Sequence, residues 1–204
     1  MPLSSVQGQR TRRKGAKVKS QDIVVLLKLI CLQEQESKGW PEDPRSLGDS
    51  VYAVRNLEPL LKISKSEING SIMRSLASGL AIKDRQTGRP NPNRRNLYNF
   101  IVHGLKFVFP AKSGGMTRGI PTAFAAPMLK TLLMSGGDYI YVWPFAEGTD
   151  MGQSIEPLFK SVPYAAQQDK RLYEYLALVD AIRLGNQREA GLAGERLEER
   201  LLAR

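Results

Sequence analysis

Lys65, Ser66, Asn69, Gly70, Ser71 and Arg74 fall at spacings that place them together on one side of a helix. Short hydroxyl and amide side chains hydrogen-bond the edges of bases, and cations bond phosphates. Together they form an inventory suited to the major groove of duplex DNA. The same inventory also suits an ordinary solvated helix face. The neighbouring elements distinguish the two readings.

The helix itself is well marked. Ser64 is an N-cap residue, and Glu67 three positions later completes the sequence pattern of a capping box. Ile68, Ile72 and Leu76 line the apolar face, and Gly79 suits a left-handed helix end. Leu80-Ala81-Ile82 then begins a strand. Upstream, Leu57, Leu60 and Leu61 recur at helical spacing around Pro59, so that helix is short or starts late, and the turn into Ser64 is tight. A first helix is capped by Ser20, with Asp22 in its first turn. Ile23 to Leu32 are apolar on more than one face, which predicts a central buried helix, a dimer contact, or both. Trp40 to Val51 read as a loop.

Charge follows these elements. From Lys62 to Arg95 there are eight basic residues and two acidic ones. Asp84 to Asn93 has the Gly, Pro and Asn content of a wing loop, carrying Arg85 and Arg89 with Arg94 and Arg95 behind it. Residues 1–18, with Arg12 and Arg13, read as a disordered basic arm suited to DNA backbone or minor-groove contact, or as a solubilising tail. Residues 1–144 hold 22 basic and 10 acidic side chains, whereas residues 145–204 hold 8 and 10. The net charge of +10 favours a polyanionic partner. Asn93 caps a further helix through Leu97, Phe100, Ile101, Gly104 and Leu105. Its period leaves no second wing strand there and predicts that the wing is a bare loop.

The second half is less legible. Phe107 to Pro127 is dense in Gly and Pro yet carries Phe107, Phe109, Ile120 and Phe124. It reads either as an ordered segment packed on this chain, a second copy or a partner, or as a surface loop with a few anchors. Met128 to Met134 suggest a short helix, Tyr139 to Trp143 a strand, and residues 145–165 a loop. Asp169 caps a helix with Leu172, Tyr175, Leu176, Val179 and Ile182 on one face, and Gly185-Asn186 end it. Gln187 to Ala203 form a last helix. Its thin stripe of Leu192, Leu197 and Leu201 must pack on the preceding helix or on a dimer mate.

Catalytic chemistry finds little support. One histidine, His103, and one cysteine, Cys31, cannot assemble a zinc site. No phosphate loop or dinucleotide fingerprint is present, and Glu147, Asp150 and Glu156 read as solvated loop charges. The expectation is no enzyme, no metal and no cofactor. No apolar run reaches transmembrane length and no signal peptide is readable, so a cytoplasmic protein is expected.

The run LLKISKSEINGSIMRSLASGLAI resembles the helix-turn-helix of bacterial winged-helix transcription regulators, including the MarR-like group, over roughly residues 20–95. NRRNLYNFIVHGLKFVFP, TRGIPTAFAAP and LYEYLALVDAIR resemble a group of uncharacterised bacterial proteins with such an N-terminus. The resemblance implies double-stranded DNA binding, with Lys65, Ser66, Asn69, Ser71 and Arg74 as candidate contacts. The expected fold is mainly α (α+β). A winged helix-turn-helix domain over residues 19–106 is followed by a dimerisation or partner-binding region over residues 107–204 that ends in two helices. The function expected is a homodimeric transcription regulator. The alternative is an antitoxin-type interaction protein whose C-terminal half silences a co-encoded enzyme.

Overall fold

The computed structural model describes residues 17–39, 51–130 and 140–202. Its first element, α1 (Ser20–Ser37), is the centre of the molecule. Every residue from Gln21 to Leu32 is buried, as a helix apolar on several faces requires. The chain's own helices cover this surface, so α1 is the central helix. The N-cap is Lys19 rather than Ser20, with the Lys19 N–H donating to Asp22 Oδ2 at 2.9 Å. Two charges lie inside α1, and each is answered from a different direction. Asp22 pairs with Arg74, and Lys28 Nζ lies 2.8 Å from Asp169 Oδ2, with both side chains 6% exposed.

Next come α2 (Val54–Leu61) and α3 (Lys65–Ser78), with α3 packed on α1 and α2 packed on α3. Pro59 lies inside α2. The turn between the two helices places Lys62 in the left-handed region, at φ 47°. A cation–π contact braces that non-glycine conformation, with Lys62 Nζ 3.8 Å from the centre of the Tyr164 ring. At the far end of α3, Gly79 adopts φ 77°, and its carbonyl accepts from Asn96 Nδ2 at 3.0 Å.

A two-stranded antiparallel hairpin follows, β1 (Ala81–Lys83) and β2 (Pro90–Pro92), with Ile82 opposite Asn91. The expected bare loop is therefore a paired ribbon. The sequence hid it because prolines lack the ladder donor. Here Asp84 N donates to Arg89 O and Asn93 N to Leu80 O, both at 2.9 Å, so the prolines fall at the positions between ladder bonds. The expected helix starts immediately after, as α4 (Arg94–His103), with Asn93 Oδ1 accepting from Asn96 N at 3.1 Å. A short α5 (Leu105–Val108) succeeds it.

The Gly/Pro-rich segment is ordered against this chain. It forms β3 (Ser113–Pro121) and a 3-10 turn (Ala123–Ala125), with Ile120 and Phe124 buried and Phe107 at the surface. β3 pairs antiparallel with β4 (Tyr141–Pro144) and with β5 (Asp150–Ile155), and β4 pairs parallel with β5. Strands crossing this closely need glycine. A Cβ on Gly119 would lie 2.0 Å from Trp143 O, and one on Gly148 would lie 2.3 Å from the Gly119 backbone. Residues 145–165 are consequently not a loop; they hold β5 and the start of α6 (Val162–Gln168). Of the helix expected at Met128 to Met134, the described part is a turn, and residues 131–139 lie outside the described residues.

The chain ends in α7 (Lys170–Leu184) and α8 (Gln187–Leu202). Asp169 Oδ1 caps α7 as expected, accepting from Arg171 N at 2.9 Å and Leu172 N at 3.1 Å. α8 packs on α7 and α4, burying Leu197 and Leu201 while leaving Leu192 at the surface. A single cluster of buried side chains runs through both halves, from Ile68 and Leu97 to Trp143, Tyr175 and Leu197. The fold is mostly helical with little sheet.

Candidate nucleic-acid interface

α3 has two unlike faces. Toward the core it buries Ile68, Ser71 and Ser75. Arg74 also turns inward, where Nε donates to Asp22 Oδ2 at 2.9 Å and Nη2 to Asp22 Oδ1 at 2.5 Å, and Nη2 also reaches Ser71 Oγ at 3.1 Å. Asp22 is fully buried, and its hydrogen bonds push the Arg74 guanidinium above even the usual arginine range. The expectation that Ser71 and Arg74 face outward is thus corrected. Ser71 follows Ile68 by about one turn and is buried with it, Arg74 lies three residues further and reaches back toward α1, and a buried carboxylate there requires a cation. Asp22, set at the head of an apolar helix, was the signal for this pairing.

Toward solvent α3 shows Lys65, Ser66, Glu67, Asn69, Met73, Ala77 and Ser78, with Gly70 half-buried. Ser66, Asn69, Met73 and Ala77 recur every three to four residues, so they form one stripe. Met73, absent from the sequence-based expectation, is 60% exposed at the middle of that stripe. Lys65 Nζ stands 3.5 Å from Glu58 Oε2 at the surface end of the helix.

The hairpin tip adds a second exposed group, comprising Lys83, Arg85, Gln86 and Thr87. Asp84 builds the tip from within. Its Oδ1 accepts from Thr87 N at 2.8 Å, Thr87 Oγ1 at 2.9 Å and Gln86 N at 3.0 Å, and the Thr87 bonds above all hold its carboxyl below the usual carboxylate range. Gly88, at φ 70°, closes the turn. Arg89 leans back instead, 4.8 Å from the Tyr52 ring centre and 3.5 Å from Glu36 Oε1. Gln33 Nε2 donates to Asn91 Oδ1 at 3.1 Å and ties the hairpin to α1.

The remaining cations divide similarly. Arg94 joins three helices, with Nη1 donating to Glu34 Oε1 at 3.4 Å and Leu201 O at 3.2 Å. Arg95 pairs with Glu198 at 3.1 Å on the surface. Arg12 and Arg13 lie outside the described residues. The structure therefore brings Lys65, Ser66, Asn69 and Arg85 to open surface, commits Ser71, Arg74 and Arg94 to the interior architecture, and uses Arg89 as a brace.

A second polar centre, unsuspected from sequence, lies under the three strands. Asp180 is 1% exposed and accepts from Trp143 Nε1 at 2.6 Å, Thr122 Oγ1 at 3.0 Å and Arg183 Nη1 at 2.7 Å. Arg183 Nε then donates to Phe109 O at 2.9 Å. Burial pushes the Asp180 carboxyl up, and Arg183 opposes that shift. The donors fix the start of the 3-10 turn, β4 and α7 against one another. Cys31 is buried, which pushes its thiol up and leaves it a core residue. His103 is exposed on α4. Among the described residues no group of histidine, cysteine or carboxylate side chains is placed to hold a metal ion, and no helix is long and apolar enough to cross a membrane.

No family model, curated protein or solved structure matches the chain.

Proposed function

We propose that the chain is a sequence-specific DNA-binding regulator in which α2, α3 and the β1–β2 hairpin act as a winged helix-turn-helix. The observation that carries this reading is the division of α3. Its inner face is locked by a bidentate ion pair to a buried carboxylate, while its outer stripe holds only short side chains and one methionine. Short side chains let a helix sink into the major groove, and a fixed inner face keeps register. Lys83 and Arg85 are exposed cations suited to phosphates, and Lys65 stands at the surface beside Glu58. Basic charge concentrated before residue 145 supports the same partner. The second half serves as a brace, through Tyr164 on the turn and Asp169 on α1. A homodimer would present two such helices to half-sites roughly 34 Å apart, and sedimentation of the free chain tests that state.

Quantitative binding to a selected duplex and to random duplexes tests the reading. Asn69→Ala should weaken the selected duplex roughly tenfold and leave random DNA unchanged. Lys83→Ala with Arg85→Ala should weaken both and lower the salt slope by about one per lost phosphate contact. Parental behaviour of all these variants on both DNAs defeats the assignment.

A further inference from the structure

Arg74 is the only arginine of α3, and its Nε and Nη2 are occupied by Asp22. Arginine is the commonest reader of guanine, because its paired donors match O6 and N7. The outer stripe is left with Ser66 and Asn69 as hydrogen-bonding groups, and with Met73 as its large apolar one. An asparagine amide matches adenine N6 and N7 in two bonds, and an apolar side chain meets the thymine methyl. Asn69 and Met73 are one helical turn apart, about 6 Å along the axis. Both therefore reach neighbouring pairs on the groove floor. A methionine 60% exposed in a polar stripe loses nothing structural by leaving water, and it gains a partner only if the groove offers apolar surface.

Resting on the DNA-binding reading above, we infer that α3 selects A·T pairs, with Asn69 reading adenine and Met73 covering a thymine methyl. The withdrawal of Arg74 into the core removes the one guanidinium of this helix from G·C readout, and Lys65 and Glu67 lie at its first turn, away from Met73. The hairpin and turn cations contribute affinity without base choice.

The test begins with selection of the full-length chain against random duplexes. Enriched sites should carry adjacent A·T pairs where α3 is footprinted. Replacing thymine by deoxyuridine at the critical position removes the methyl alone and should cost about fourfold in affinity. The Met73→Ala variant should bind both versions equally. Replacing the critical adenine by 7-deazaadenine should weaken the parent and leave Asn69→Ala unaffected. Both side chains are solvent-facing, so these variants keep the fold. Enrichment of a G·C core, or a deoxyuridine effect that persists in Met73→Ala, overturns the inference and leaves DNA binding standing. Failure to enrich any sequence overturns the underlying reading as well.

Discussion

Arg85 at the hairpin tip and the arginines around the last two helices are the same residue put to opposite uses. Arg85 is exposed at a turn whose geometry is set by Asp84, with no carboxylate partner among the described residues. Arg171, Arg196 and Arg200 instead converge on Glu174, at 3.1, 3.7 and 2.8 Å, and Arg171 also meets Glu34 at 3.2 Å. Arg74 belongs with the second group although it lies on the helix proposed to read DNA. Charge count alone does not mark an interface. A cation becomes available to a phosphate only when no carboxylate of the same chain has claimed it, and buried carboxylates claim first, because an unpaired charge inside is costly.

The comparison can be broken at its buried end first. Asp180→Ala orphans the Trp143 indole, the Thr122 hydroxyl and the Arg183 guanidinium together, and should cost about 3–5 kcal/mol of unfolding free energy in urea. A loss near that of a surface substitution would mean that the network is ornamental. Asp22→Ala should cost about 3 kcal/mol, because Arg74 is left half-buried and unpaired. Adding Arg74→Met should restore much of that loss, since replacing both partners by apolar groups removes the uncompensated charge. An additive double variant would show that the two residues are not coupled.

Two smaller effects sharpen the exposed end. Lys62→Met keeps the stem but removes the charge from the Tyr164 face, and should cost about 0.5–1 kcal/mol in thermal or urea unfolding. No change would separate the turn from α6. The hairpin tip should loosen on acidification. The Asp84 carboxyl titrates lower in the folded chain than in the unfolded one. Its stabilisation is therefore complete above the unfolded value and fades as pH falls through the folded one. The Thr87 amide resonance should follow that titration, and Asp84→Asn should abolish it. A Thr87 signal unchanged below the carboxylate range would refute the assignment.

Much of this architecture was readable where local rules are strong. Asp169 and Gly185 bracket α7, Asn93 opens α4, and the apolar run of α1 announced a buried helix. The hairpin was missed because Pro90 and Pro92 argue against a strand, and only the partner's register shows that their missing donors fall between ladder bonds. The three-strand crossing was missed because its signals are Gly119, Gly148 and Gly152, which read as loop until the close approach of backbones explains them. At the proposed interface, Ser66, Asn69, Lys65 and Arg85 were legible as exposed polar groups. Met73 was passed over because the sequence reading of the outer face considered only polar and charged side chains.

By itself the sequence determined α1, α3, α4, α7 and α8, the capped start and glycine end of α3, and the concentration of positive charge before residue 145, since these depend on neighbours within one or two turns. Tertiary structure alone decided which cations remain in water. Asp22 lies 52 residues from Arg74 and Asp169 lies 141 from Lys28, so no local pattern links them. The pairing follows from burial, which fixes where a charge must find its opposite and so leaves α3 with asparagine and methionine, not arginine, at its outer face.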